Sequence, residues 1–318
     1  MSLKKKAFLP GSRSITLILI ILVIFVCMSI LKGELFYAAT NISTIFSNLS
    51  YDLLLACGMT FVLILGGIDL SVGSVLAFVG IVVTMLLHDG TPIIPSIFIG
   101  LLVALLSGAV NGILISKIHI APFVSTLATM SVLRGACYVL TSGFFIVGLP
   151  ESYISIARGS MLGIPNKIVI SLAIMGFLGI ISTKHILFKQ MYYVGDNPRT
   201  AYLSGIASSR TIILGYSVCS LLAGIAGILM TSSFGMGQAS FGIGSEMRAI
   251  AAAVIGGASM SGGEGNFIGT ALGVILVALV NNVFIMFNGS PNWSTAISGI
   301  MLLVAVALDL LRTREKTR

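Results

Sequence analysis

The sequence predicts an all-α, polytopic membrane protein of about ten transmembrane helices, one of them short and broken. Three observations carry this reading. Hydrophobic residues make up 57% of the 318 and charged residues only 9%, with a mean hydropathy of +1.09, far outside the range of soluble domains. The apolar residues gather into runs, most of which approach the roughly 20 residues that a bilayer requires. None of these runs alternates over the ten or so residues expected of a transmembrane β-strand.

The runs fall at 14–31, 45–65, 72–87, 95–116, 122–141, 167–182, 211–230, 246–256, 267–288 and 293–311. Lys4, Lys5, Lys6 and Arg13 precede the first, as in a secretory leader. That run is too long for a leader, and no clear small-residue cleavage site follows, so it reads as an uncleaved span. The eighth run is too short to cross alone. Ser245 reads as its N-cap and Glu246 sits in its first turn, where the helix dipole favours a carboxylate. Its Gly256–Gly257 end must then continue as irregular backbone enclosed by protein or by a water-filled cavity. The whole chain, 1–318, reads as one transmembrane domain with a tail at 1–13, a polar loop at 183–210 and a second tail at 312–318.

Within the polar interval from Thr183 to Arg210, the stretch Tyr193–Ile206 reads as a short helix with both ends written in. Asn197 is a good N-cap, Pro198 suits the first helical position, and Gly205 can adopt the left-handed conformation that closes the last turn. That leaves roughly two turns, about 10 Å. Isolated helices under about a dozen residues are marginal in water, so this one calls for another protein to rest against.

Orientation follows from the Lys and Arg count. With the N-terminus in the cytoplasm, the inner side receives the four basic residues of the first tail, Lys117, Lys184, Lys189, Arg199, Arg210, and Arg312, Arg314, Lys316 and Arg318. Only Lys32, Arg158 and Lys167 fall outside, and Arg134 and Arg248 lie near or within spans. The positive-inside rule therefore puts both termini and the capped helix in the cytoplasm. The net charge of +8 marks orientation, since the basic residues sit at span ends and form no face for nucleic acid. Cys27, Cys57, Cys137 and Cys219 lie in apolar runs and read as packed thiols; His88, His119 and His185 form no ligand cluster.

Small residues recur at spacings that let helix backbones approach: Gly108 and Gly112, Ala223 and Gly227, and Gly265, Gly269 and Gly273. They fit tight packing within one subunit or a seam between two. Leu65–Ser74 (LGGIDLSVGS) and Ile255–Gly265 (IGGASMSGGEG) faintly echo each other, as in transporters whose broken helices meet at the midplane.

The polar residues at membrane depth each carry two readings. Gly66, Gly67, Asp69 and Ser71 either line a solute path or make the turn and cap before the third span. Arg134 is a pathway residue if central and snorkels if near an end. Glu246 and Arg248 belong to helix-end electrostatics or to the pathway, and Asn111, Asn281 and Asn282 bond between helices or meet solute. No phosphate-binding loop of the G-x-x-x-x-G-K-[ST] type, nucleophile elbow or metal motif occurs, nor a carboxylate or histidine relay of the kind a proton-coupled carrier needs. A stand-alone ion-coupled carrier or channel is the alternative this absence weighs against.

Three ordered stretches, Met59–Ser74 (MTFVLILGGIDLSVGS), Tyr192–Ile206 (YYVGDNPRTAYLSGI) and Ala249–Gly273 (AIAAAVIGGASMSGGEGNFIGTALG), resemble the permease subunits of ribose-type ABC importers, the monosaccharide and autoinducer-2 branch. Leu221–Leu229 and Val304–Arg312 also match, so the resemblance covers the chain from about residue 40. It implies a permease of about ten spans in a bacterial inner membrane that pairs with a second permease, receives its sugar from an extracytoplasmic binding protein, and is driven by a separate ATPase subunit. That subunit holds ATP and magnesium, and the permease itself carries no cofactor. The family's coupling helix falls on Asn197, Pro198, Arg199, Thr200, Ala201, Tyr202, Leu203, Ser204 and Gly205, with Ala201 and Tyr202 as its contact face, and its Gly-rich signature on Gly66, Gly67, Asp69, Leu70 and Ser71. Lys32, Arg158 and Lys167 become candidate contacts for the binding protein. Two departures stand out: Arg248 in SEMRAI occupies a position that is commonly acidic in the family, and HILFKQM replaces the usual run ahead of the coupling helix.

Overall fold

The computed structural model describes residues 12–161, 163–287, 289 and 293–317. All ten apolar runs form helices. Seven are long and apolar enough to cross a membrane: α1 (Ser12–Phe36, counted from Ser14), α2 (Ala39–Ile64), α4 (Ile93–Ser116), α5 (Pro122–Thr141), α7 (Asn166–Lys184), α10 (Ser208–Phe234) and α12 (Phe267–Met286). The other three are shorter where apolar: α3 (Val72–His88), α11 (Ser245–Gly256) and α13 (Trp293–Thr317), whose apolar part is Thr295–Ala307. The remaining helices are α6 (Glu151–Arg158), α8 (Ile186–Asp196) and α9 (Pro198–Leu203), and a two-stranded hairpin pairs β1 (Ser160–Met161) with β2 (Ile164–Pro165). The first tail lies outside the described residues up to position 11, and α13 continues through the second tail to Thr317.

α2 is the axis. Every residue from Ser50 to Ile64 is buried, because α7, α10, α11 and α12 all pack against it. α1, α4 and α5 instead turn large apolar side chains outward, among them Val23, Leu106 and Val132. The small-residue spacings serve packing within the chain. Gly108 and Gly112 of α4 lie against the α10 backbone at Tyr216–Ser217 and Ile213, and Gly269 and Gly273 of α12 lie against Gly256 and Ala252 of α11.

α3 and α11 are short because both begin inside the bundle. The turn before α3 is held by α10: the Tyr216 hydroxyl donates to the Ile68 carbonyl at 3.4 Å, eight residues or about 12 Å into that helix. The first turn of α11 pairs with Asp52, midway along α2. The two N-termini are neighbours. A side-chain carbon on Gly73 would strike the Gly242 carbonyl and lie 2.6 Å from Glu246 Oε2. The echo between the Gly-rich stretches also has a spatial counterpart, with Gly66 beside Ser261 and Gly262.

The polar interval 183–210 holds two helices where one was expected. α8 buries Met191, Val194 and Gly195, a spacing that puts them on one face, and packs the Phe188 ring, tilted, against Phe61 of α2 at 5.0 Å between ring centroids. Tyr192 of α8 donates to the Gly265 carbonyl at 3.2 Å, and burial pushes its phenol up to about 12. At Gly195 the backbone of α8 meets Ile64 of α2 and Gly263 with no room for a Cβ, and the Gly263 N–H donates to the Ile64 carbonyl at 2.9 Å. The seam is therefore backbone against backbone.

At the opposite end of the bundle α6 lies on α10. The buried Tyr153 hydroxyl reaches Thr231 at 2.6 Å and the Ile228 carbonyl at 3.1 Å, and Ile146 bridges Gly237.

Candidate coupling knob and buried polar cavity

α9 is closed at both ends as the sequence predicts. The Asn197 side chain accepts from the Thr200 N–H at 2.9 Å, and Pro198 opens the helix. Gly205 adopts φ +81°, so that its N–H reaches the Tyr202 carbonyl at 2.9 Å and the Ile206 N–H reaches Ala201 at 3.0 Å. Most of the segment is exposed: Asn197, Pro198, Arg199, Thr200, Ser204 and Gly205 all face outward. The contact face needs one correction. Ala201 is buried against the protein, and the apolar side chains turned outward are Tyr202 and Leu203, at 73% and 78% exposure.

Ser245, expected as an N-cap, is the first residue inside α11; the cap is Gly244 at φ 75°, with no side-chain bond. Ser245 Oγ accepts from Arg248 Nη2 at 2.7 Å instead. The rest of that guanidinium forms a two-pronged pair with Asp52, Nε to Oδ2 at 3.0 Å and Nη2 to Oδ1 at 3.2 Å. The partner is 196 residues away, on α2. Both charges are more than three-quarters buried as side chains, and the fork geometry offsets what their desolvation costs.

The Gly66–Ser71 turn is tied inward. Asp69 Oδ1 accepts from the Ser71 N–H at 2.9 Å and from its hydroxyl at 2.5 Å, which fixes the turn ahead of α3; Ser71 is the N-cap residue of that helix, but neither side chain bonds its first-turn N–H groups. Asn111 of α4 donates to Ser71 Oγ at 3.1 Å and accepts from Thr129 at 2.6 Å and Ser125 at 3.4 Å on α5. Asp69, Ser71 and Asn111 are all fully buried, which makes this an interhelical network joining α3, α4 and α5. Arg134 is half-buried and bonded within the protein. Its Nη1 donates to the carbonyls of Ala239, in a very short contact, and Phe241, at 2.8 Å, and so holds the loop that leads into α11. Cys57, Cys137 and Cys219 are buried as expected, whereas Cys27 is exposed.

The three candidate outer cations are engaged within the chain. Lys32 Nζ lies 4.9 Å above the Phe287 ring, Arg158 Nε donates to the Ser233 carbonyl at 2.7 Å, and Lys167, only 9% exposed, donates to Ser233 Oγ at 2.9 Å. Arg158 keeps an outward face; Lys167 is turned in.

Beside the Asp52–Arg248 pair the structure opens a cavity of about 250 Å3 between the first half of α2 and the second half of α12. Asn48, Tyr51, Asn281 and Asn282 line it with the pair. The sequence pointed to Asn281, Asn282 and Arg248; it did not point to Asn48, Tyr51 or Asp52. A lone Asp between the hydrophobic runs of a span was the available signal.

A helical bundle with internally starting half-helices, a buried ion pair at mid-span and an exposed capped knob belongs to the class of membrane transport permeases. The family model described as branched-chain amino acid transport system / permease component matches residues 41–306, and the chain belongs to that family. It is 38% identical to the ribose import permease protein RbsC of Bacillus subtilis over 92% of this chain and 90% of the relative. It is 31% identical to the D-allose transport system permease protein AlsC of Escherichia coli, again over 92% and 90%. With the autoinducer 2 import system permease protein LsrC of an Enterobacter species it shares 33% identity over 94% and 87%. No solved structure matches. The chain is a multi-pass transmembrane permease subunit, as its three motifs led one to expect.

Proposed function

We propose that this permease forms one half of the pathway of an ATP-driven importer in a bacterial inner membrane, moving a monosaccharide or a related small polar solute inward. Its relatives named for ribose, D-allose and autoinducer 2 support that solute class. A second permease, of the same or a sister chain, completes the pathway. An extracytoplasmic binding protein delivers the solute and supplies selectivity, while a separate ATPase holds ATP and magnesium. Both termini and the α8–α9 segment face the cytoplasm, where the excess of Lys and Arg lies.

The observation that carries the reading is the knob. α9 satisfies its own ends yet exposes Tyr202 and Leu203 side by side, and apolar side chains held out at a polar face are what a partner's groove buries. Closure of the ATPase pair pushes α9, α8 passes the push to α2 and the Gly-rich loop at Gly263 through the Gly195 seam, and the half-helices α3 and α11 tilt about their shared start.

The test is sugar uptake by proteoliposomes that hold the permease, its ATPase and its binding protein. Tyr202→Asp with Leu203→Asp should reduce ATP-driven uptake by about tenfold or more while the permease itself stays folded, because a desolvated anchor pair is worth about 2 kcal/mol or more. Uptake at the wild-type rate, or uptake on an ion gradient without any ATPase, overturns the reading. Asn197→Ala should have a smaller effect. Loss of the bond to Thr200 costs about 1 kcal/mol of local helix stability, read as about fivefold faster amide exchange across α9.

A further inference from the structure

The cavity between α2 and α12 contains polar atoms that the protein does not use. Tyr51 is 3% exposed and its phenol oxygen makes no hydrogen bond of good geometry, only a loose approach to the Ser233 hydroxyl. Asn282 is 7% exposed. Its Nδ2 donates to Asn41 Oδ1 at 2.6 Å, while its Oδ1 is buried without a partner. Buried polar atoms left unpaired are uncommon in folded proteins and call for a partner or another explanation; of the seven among the described residues, these two share a cavity. These two are near-wholly buried, sit on facing helices and line one cavity.

Charge narrows the ligand. The two charged residues of the lining, Asp52 and Arg248, close on each other through two bonds, and the nearby Lys167 ammonium, 5.9 Å from the centre of the Tyr51 ring, is turned to Ser233 Oγ, so the lining itself presents no unpaired charge. What remains open is an acceptor, Asn282 Oδ1, and a hydroxyl that both donates and accepts, Tyr51 Oη. Asn48, exposed at the mouth, adds an amide of both kinds. A ligand with several hydroxyl groups suits all three kinds of group, because each hydroxyl donates one bond and accepts others.

We propose that this cavity is a transit site for a neutral, polyhydroxylated solute, contacted by Tyr51, Asn282 and Asn48 and walled by the Asp52–Arg248 pair. The ligand class rests on the transport reading above, and the site rests on its own geometry. The site is small and offers few bonds, which suits a station on a path from which cargo must also leave.

A single-cysteine experiment tests it in membrane vesicles that contain the assembled transporter. In a Cys27→Ser background the remaining cysteines are buried, so Asn48→Cys reports alone. A charged, water-soluble methanethiosulfonate should label it about tenfold faster than Leu106→Cys on the outer face of α4, since water reaches the first and not the second. Saturating D-ribose or D-allose should slow labelling by about fivefold, and D-gluconate, a polyol with a charge, should not. Adding Tyr51→Phe or Asn282→Leu should leave labelling without sugar unchanged and raise the half-protecting sugar concentration by about fivefold each, the loss of one hydrogen bond. Labelling no faster than at Leu106→Cys, or protection by neither sugar, overturns the site. Protection in a complex that shows no ATP-driven uptake keeps the site and overturns the importer reading; uptake without protection does the reverse.

Discussion

Replacing Arg248 with alanine is expected to destabilise the permease by about 3 kcal/mol or more, the largest effect of any single change considered, because it strands the Asp52 carboxylate inside the bundle. The expectation takes the lower end of the usual range for a broken buried pair, since the cavity beside Asp52 gives the orphaned charge some access to water. Thermal unfolding in detergent should show a clear fall in midpoint for Arg248→Ala. Asp52→Leu combined with Arg248→Met should recover most of it, because an apolar pair of similar size removes both desolvation costs together. A double variant no more stable than Arg248→Ala alone would contradict the pairing.

The second large effect belongs to Gly195→Ala. One added methyl group meets the Ile64 carbonyl and the Gly263 amide, both backbone, so no rotamer change can make room. Overpacking of this kind costs about 1–3 kcal/mol, and here α8 must lift from α2 to relieve it. The expected signature is a split: sugar protection at the α2–α12 cavity stays near wild type, while ATP-driven uptake falls by about tenfold or more because the knob no longer moves with the core. Wild-type uptake by Gly195→Ala would show that the seam does not carry the stroke.

Legibility in the sequence followed the reach of each interaction. The ten apolar runs became helices, and Asn197, Pro198 and Gly205 set the ends of α9 as read, because spans and caps are decided by residues within a turn or two of one another. Pairings across the chain left little local trace. Arg248 looked like a reversal of a family pattern until α2 brought Asp52 to it, and Asn111 looked like a generic bonder until Ser71 and Thr129 were found on either side. α8 was hidden for another reason. Its polar and apolar residues are interleaved, and its amphipathic stripe of Met191, Val194 and Gly195 was read as part of a loop between spans. Ala201 was misjudged because position on so short a helix does not say which side its neighbours occupy, and α8 and α10 decide that.

The meeting of Gly195 with Ile64 and Gly263 has a mechanical meaning. Side chains at an interface act as springs: they swing between rotamers and soak up small displacements before these travel further. Where main chain abuts main chain, as at Gly195, that compliance is missing. A push taken up by α9, as proposed above, would then pass into the core through a stiff contact whose fidelity depends on the smallest residue in the alphabet.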